Sequence, residues 1–377
     1  MPIPRAHSWL TGGTYLVEMI GEGTAIAERL ARASVDRNVF GQLSDDDLAS
    51  LVDDPSPGWG ATQQVDVDGT RAFVKRVPVT RVELENRGST ANLYGIPTYL
   101  NYPYGSPGVG VARELQFAIK ATQWVEDGTC TAFPILLHHR VIERRERFGD
   151  PATTGGYTAY RGNEPAMNRY LADRARAPAE LVLCFEHIPH SASDWMTLHP
   201  ADASWIVDEV QKTIEVLQSR GIVHFDVDMF NVLTDGRHTY LADYGLVMDS
   251  EFELDDAERR FLDAHRHFDE GNLILGLGHQ LYWMFRSLEG DRRATVEAEL
   301  DLEGAAFETV VTRLLDAADQ LDDRGLIDIG PALRAALARY DDVIRFMHEF
   351  FAAARSNWSR DTAFDDETLV KLLAAIS

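Results

Sequence analysis

The chain has 377 residues, 45% hydrophobic and 25% charged, which is enough apolar material for one large core or two modest ones and argues against general disorder. Sixty acids against 36 bases leave a net charge of -24, a field that repels nucleic-acid phosphates and anionic lipid and weakly favours cationic partners, so neither a nucleic acid nor a membrane surface is an expected partner. Cys130 and Cys184 stand far apart without metal-ligand spacing, which points away from a disulfide framework and towards a reducing, cytoplasmic setting.

At the amino end, "MPIPRAHSWLTGG" lacks a basic start followed by an apolar run and so makes a poor secretion signal. Residues 1–43 show little periodicity beyond a short helix near 24–33 and are expected to form an amino-terminal extension. Ser44 caps a short acidic helix, "SDDDLASLV", which Pro55, Pro57, Gly58 and Gly60 end. In "ATQQVDVDGTRAFVKRVPV" the Asp68-Gly69 pair divides two alternating runs, the signature of a β-hairpin. Residues 81–110, rich in Tyr, Pro, Gly and Asn, are expected as a long ordered loop. "VARELQFAIKATQWV" follows with helical spacing.

"AFPILLHHRVI" and "AELVLCFEHI" are expected as buried strands, separated by a Gly- and Arg-rich, solvated insertion over 143–179. After Pro189 the pattern turns helical. "ADASWIVDEVQKTIEVLQSRG" is amphipathic and ends on a capping glycine, Gly221, and residues 332–355 carry another long amphipathic stretch. "NLILGLGHQLYWMF" falls short of the ~20 residues that cross a bilayer and carries His279, so it is expected as a buried helix. The boundaries are therefore an extension over 1–43, a β-rich part over 44–188 and a helical part over 189–377.

Four aspartates and an asparagine fall within "GIVHFDVDMFNVLTDGRHTYLADYG", residues 221–245. Asp235-Gly236 supplies the turn of a short antiparallel hairpin, and Asn231 and Asp243 lie at its open end, where cross-strand neighbours are ~5 Å apart. Two such oxygen donors suit magnesium, which keeps waters and takes a few carboxylates together with substrate phosphates. Asp226, five residues before Asn231, stands where a carboxylate could take a proton from a hydroxyl nucleophile.

His224, Asp226 and Asn231 meet the pattern H-x-D-x-x-x-x-N, and Asp243-Tyr244-Gly245 resembles D-F-G. On these motifs the chain resembles the protein-kinase-like superfamily, as an atypical bacterial Ser/Thr-kinase-like or small-molecule-kinase-like member, over roughly residues 54–285. The resemblance implies an α+β, two-lobed fold with a β-rich amino lobe and a helical carboxyl lobe, binding ATP and magnesium in the cleft. By the same resemblance Asp226 is the catalytic carboxylate, Asn231 and Asp243 hold the metal, and Lys75 in "AFVKRV" grips the nucleotide phosphates. Lysine is scarce here, with Lys75, Lys120, Lys212 and Lys371 the only four, which adds weight to that position. Glu114 matches the helix glutamate that holds the lysine, with Glu83 and Glu85 also available. Gly58, Gly60 and Val65 resemble the glycine-rich loop, with Gln63 at the third glycine. "CFEHIP" resembles the hinge, with Phe185 at its start and the backbone of Glu186 and Ile188 facing adenine.

Departures from the pattern bear on the acceptor. Asp228 stands where protein kinases carry a lysine, Phe225 replaces an arginine that receives a phosphorylated loop, and no A-P-E follows Gly245. Asp269 matches the aspartate that braces the catalytic loop, at an altered spacing. The implied reaction is γ-phosphoryl transfer to a hydroxyl, by default of a protein Ser or Thr. The alternatives are a small-molecule acceptor, cationic in an aminoglycoside- or choline-kinase-like enzyme, and a pseudokinase that binds nucleotide without turnover.

Overall fold

The computed structural model describes residues 11–52, 61–103, 106–144, 164–356 and 362–376, with 11–23 described by backbone alone. It is a mixed α+β chain with a small antiparallel sheet followed by a large helical part. Among the described residues, no helix is long and apolar enough to cross a membrane.

Asp68 and Gly69 adopt left-handed backbone, φ 52° and 81°, the conformation a two-residue hairpin turn demands and that Asp and Gly tolerate. They join β1 (Ala61–Val67) to β2 (Thr70–Val79) in a register running from Val67 opposite Thr70 to Ala61 opposite Arg76. The sheet order is β1-β2-β4-β3, so β4 (Ala179–Glu186) is inserted between β2 and β3 (Leu136–Glu143). The apolar run of β4 fits this central place, and its residues are buried up to the last. β3, at the edge, alternates and leaves Val141 half in solvent, so of the two strands expected to be buried only β4 carries a continuous buried run.

Helix α1 (Thr11–Gly41) is longer than the short helix expected near 24–33, and it packs along β3. The short helix α2 (Asp45–Ser50) starts at Ser44, whose hydroxyl accepts the Asp47 N–H while Asp47 returns a bond to Ser44, as the sequence indicates. α3 (Arg81–Glu85) begins the 81–110 segment. α4 (Val111–Asp127) lies against β2 and β3, and left-handed Gly128 ends it.

Residues 164–178 correct the expected solvated insertion. α5 (Pro165–Ala175) buries Met167, Tyr170 and Leu171 against Ile96, Tyr94 and Leu100, so two segments without a core of their own make one together.

In the helical part, α6 (Ala192–Leu198) and α7 (Ala203–Gln218) precede a short hairpin of β7 (Val232–Thr234) and β8 (Thr239–Leu241), with β5 (His190–Ser191) on its outer edge. β6 (Ile222–Val223) pairs with β9 (Met248–Asp249). α8 (Asp256–Asp263) follows, and then α9 (Phe268–Ser287), the buried apolar run, packs against α7, α11 (Phe307–Asp323) and α12 (Gly330–Ser356). α10 (Gly290–Glu299) and α13 (Asp366–Ile376) complete the order. A Cβ at Gly276 would lie 2.9 Å from Met229 Cγ, so the glycine lets the 224–231 loop sit directly on α9.

Candidate active site

Lys75 is carried on β2 and enters a cavity of about 270 Å³ between the sheet and the β7–β8 hairpin. Its Nζ lies 2.7 Å from Glu114 Oε1 on α4 and 2.8 Å from Asp243 Oδ1 beyond β8. Burial works against the ammonium, but the carboxylates of Asp243 and Glu114 more than offset it and hold the lysine pKa above its ordinary value. Burial raises Glu114, with Lys75 opposing. For Asp243 the surrounding protein disfavours the charge, yet Lys75 and the Gly245 N–H outweigh this and keep its carboxyl below the usual carboxylate range. Glu83 is spent elsewhere: it closes a capping box with Thr80 and accepts the Val111 N–H at the start of α4.

Asn231 and Asp243 both line the cavity, but not as direct cross-strand neighbours. The hairpin register continues with Ala242 N–H donating to Asn231 O, so Ala242 stands opposite Asn231, and Asp243 is one residue further on. Left-handed backbone at Asp243, φ 60°, then turns the chain out of the strand. Asn231 Nδ2 donates to the Asp226 carbonyl at 3.1 Å, leaving its amide oxygen as the remaining ligand atom. Among the described residues, no three His, Cys, Asp or Glu side chains cluster to hold a metal ion, so a cation would need oxygen atoms brought by a ligand beside this pair.

Asp226 adjoins the cavity through Asn231. Burial, with the charges of Asp243 and Asp228 adding to it, raises its pKa well above the ordinary carboxylate value, which makes it a stronger proton acceptor once ionised. His224 is driven down to about 4 by burial and is neutral; its Nδ1 accepts the Asp226 N–H at 3.3 Å, a packing role. Asp269 on α9 accepts the N–H of His224 at 2.6 Å and of Phe225 at 2.8 Å, bracing the loop despite its altered spacing. Phe225, itself at φ 65°, is buried among Phe261, Phe268, His265 and Tyr102. Asp228 is a turn builder: its Oδ1 accepts the Phe230 N–H at 2.9 Å and its carbonyl accepts those of Asn231 and Val232.

Glu186 and Ile188 line the wall of the cavity, with Phe185, His187 and Pro189 between and around them. Val65 is not on that wall. Cross-strand partners share a face, and Thr62 opposite Lys75 and Gln64 opposite Phe73 line the cavity, which puts Val65, opposite Ala72, on the other side of β1. Gly58 and Gly60 lie outside the described residues. Lining residues that the motifs do not name include Thr62, Gln64, Phe73, Pro134, Leu233 and Asp194. Strand alternation from Lys75 signals the β2 member, Phe73, whereas Asp194 follows from its Ser191 capping bond at the start of α6.

The 81–110 segment bears on this site from outside. Glu253 Oε2 accepts Ser89 Oγ–H at 2.6 Å and the Thr90 N–H at 2.9 Å, Asn101 Nδ2 donates to Leu246 O, and Tyr102 OH lies 2.6 Å from His265 Nε2. A Cβ on Gly108, φ 72°, would meet Gly245 O at 2.2 Å. Arg113 pairs with Glu258, and Lys120 with Asp249 and Glu251, so α4 is tied to the chain just past Asp243 at two levels. No protein-family model matches the chain, and no curated protein matches it either.

Proposed function

We propose that the chain is an ATP- and magnesium-dependent phosphotransferase with a two-lobed, protein-kinase-like fold, moving the γ-phosphoryl group to a hydroxyl. The observation that carries this reading is the convergence of Lys75, Glu114 and Asp243, from positions far apart in the chain, on one cavity that Asn231 also lines and Asp226 adjoins. The nucleotide base would lie against Phe73, Leu233 and the wall of Phe185 to Ile188, with Lys75 on its phosphates. Asn231 and Asp243 would hold magnesium, which when bound supplies positive charge against the phosphate oxygens.

Asp226 orients the acceptor. The hydroxyl oxygen attacks the γ-phosphorus, the bond to the bridging oxygen breaks, ADP leaves with the electron pair, and the hydroxyl proton passes to Asp226 and then to solvent. The raised affinity of Asp226 for a proton suits that part. Glu114 keeps Lys75 extended into the cleft.

A small-molecule hydroxyl acceptor is the second reading beside a protein Ser or Thr. It is favoured by the tethering of residues 246–258 to the 89–101 strap and to α4, since a chain held down at so many points offers little open edge to an extended peptide. ADP release from ATP with magnesium tests the proposal, comparing wild type with Asp226→Ala and Asp243→Ala across protein and small hydroxyl acceptors. Metal-dependent nucleotide binding without any phosphorylated product would leave a nucleotide-binding scaffold instead.

A further inference from the structure

Arg29, on α1, is 7% exposed, and its whole guanidinium is engaged. Nε donates to both carboxylate oxygens of Glu186 at 3.0 Å, Nη1 donates to Thr131 O at 2.7 Å, and Nη2 donates to Phe133 O and to Glu186. The central guanidinium carbon, Cζ, lies over the Tyr240 ring, 4.7 Å from the centroid. Glu186 Oε1 also accepts the Ile135 N–H at 2.6 Å, and the Glu186 N–H returns to Ile135 O at 2.9 Å. One side chain from the amino-terminal helix therefore fastens the 131–135 approach, the last residue of β4 and the second strand of the β7–β8 hairpin to one another.

Those segments build the cavity wall. Glu186 begins the Glu186, His187, Ile188 and Pro189 stretch that lines it, and Pro134 lines it from between Phe133 and Ile135. The same helix reaches the β1–β2 turn, where Thr70 Oγ1 donates to Asp36, and the end of α4, where Arg37 pairs with Glu126 at 2.6 Å.

We propose that α1 is an intramolecular brace of the nucleotide cleft and that Arg29 is a positioning residue, holding Glu186 so that the wall is preformed before a ligand enters. The inference rests on the reading of the cavity as a nucleotide site. Only a planar, five-donor group can serve the carboxylate and the two carbonyls together beside Tyr240, so lysine can replace it only in part. Without Arg29 the Glu186 carboxylate stays at the wall with its main counter-charge gone, and a bound nucleotide must order a wall that was previously fixed.

The test uses the full chain and two readouts: calorimetric affinity for the ATP analogue adenylyl-imidodiphosphate with magnesium, and amide hydrogen exchange without nucleotide. Arg29→Ala should weaken nucleotide binding about tenfold, and Arg29→Lys should recover only part of it. Exchange should quicken at residues 131–136 and 183–189, where the Ile135 and Glu186 amides report directly, and stay unchanged in α9 and α12. Should Arg29→Ala fail to fold, Arg29→Lys carries the same comparison. Unchanged affinity with unchanged exchange overturns the brace, as does a loss of protection spread evenly over the chain, which would mark Arg29 as a general stabiliser. If wild type binds no nucleotide, exchange alone decides: local quickening keeps the brace and removes the nucleotide reading, and unchanged exchange removes both.

Discussion

Replacing Arg113 by methionine should cost the fold roughly 3 kcal/mol, although the residue touches nothing in the cleft. Arg113 and Glu258 are 3% and 2% exposed, and Nη2 donates to Glu258 Oε1 at 2.8 Å while Nε donates to Thr90 O at 2.7 Å. Truncating one partner of such a pair leaves a buried charge uncompensated, at about 3–5 kcal/mol. Glu258 keeps its capping bonds, accepting the Asp255 N–H at 3.1 Å and donating its own N–H to Asp255 Oδ1 at 2.8 Å, which places the cost near the lower end. Glu258→Gln added to the Arg113→Met variant removes the stranded charge but keeps a cap acceptor, so it should return about 1–2 kcal/mol. Urea unfolding followed by tryptophan fluorescence measures both as midpoint shifts at constant slope. A single variant within about 1 kcal/mol of wild type, or a double variant no more stable than the single, refutes the reasoning. Glu114 is the next residue on α4, so ADP release should fall with the tether even where the fold persists.

Without magnesium the Asp226 carboxyl should keep its proton to a pH above the ordinary carboxylate range, read from its NMR carboxyl shift, because burial and the charges of Asp243 and Asp228 raise its pKa. The Asp228 charge contributes to that rise, so Asp228→Asn, which keeps the acceptor for Phe230 N–H, should move this metal-free titration to lower pH; an unmoved titration rejects the coupling. Burial raises Asp269 to about 7 against the N–H bonds from His224 and Phe225, so the native state holds its proton more tightly than the unfolded chain. That contribution is complete below about pH 4 and is lost as pH rises towards about 7, a loss of up to about 4 kcal/mol that Asp269→Asn should abolish in urea midpoints taken across this window. Gly108→Ala should reduce ADP release at least about tenfold, since the added methyl meets the Gly245 carbonyl. Gly88→Ala has comparable backbone, φ 78°, but open space around its Cβ and serves as the control; equal activity in the two would exclude steric pressure on Gly245.

What the sequence by itself determined was set by neighbours a few residues apart. Asp68-Gly69 and Asp235-Gly236 make turns because those residues accept the left-handed backbone or bond their own turn, and Ser44 starts a helix because its hydroxyl reaches an N–H three residues on. The spacing from His224 to Gly245, with Lys75 and Glu114, named groups that the folded chain brings to or beside one cavity. Tertiary structure alone decided the rest. Whether Val65 or Gln64 faces the cavity turns on a single step of strand alternation, and a glycine-rich match that has Gln63 at its third glycine does not fix that step. The solvated insertion acquired buried residues only because the 81–110 segment lies beside it. Arg29 meets Glu186 across 157 residues of chain. No local propensity encodes such a meeting: these partners find each other because a buried carboxylate or an orphaned N–H must be satisfied, and which group arrives to satisfy it depends on how every intervening element has packed.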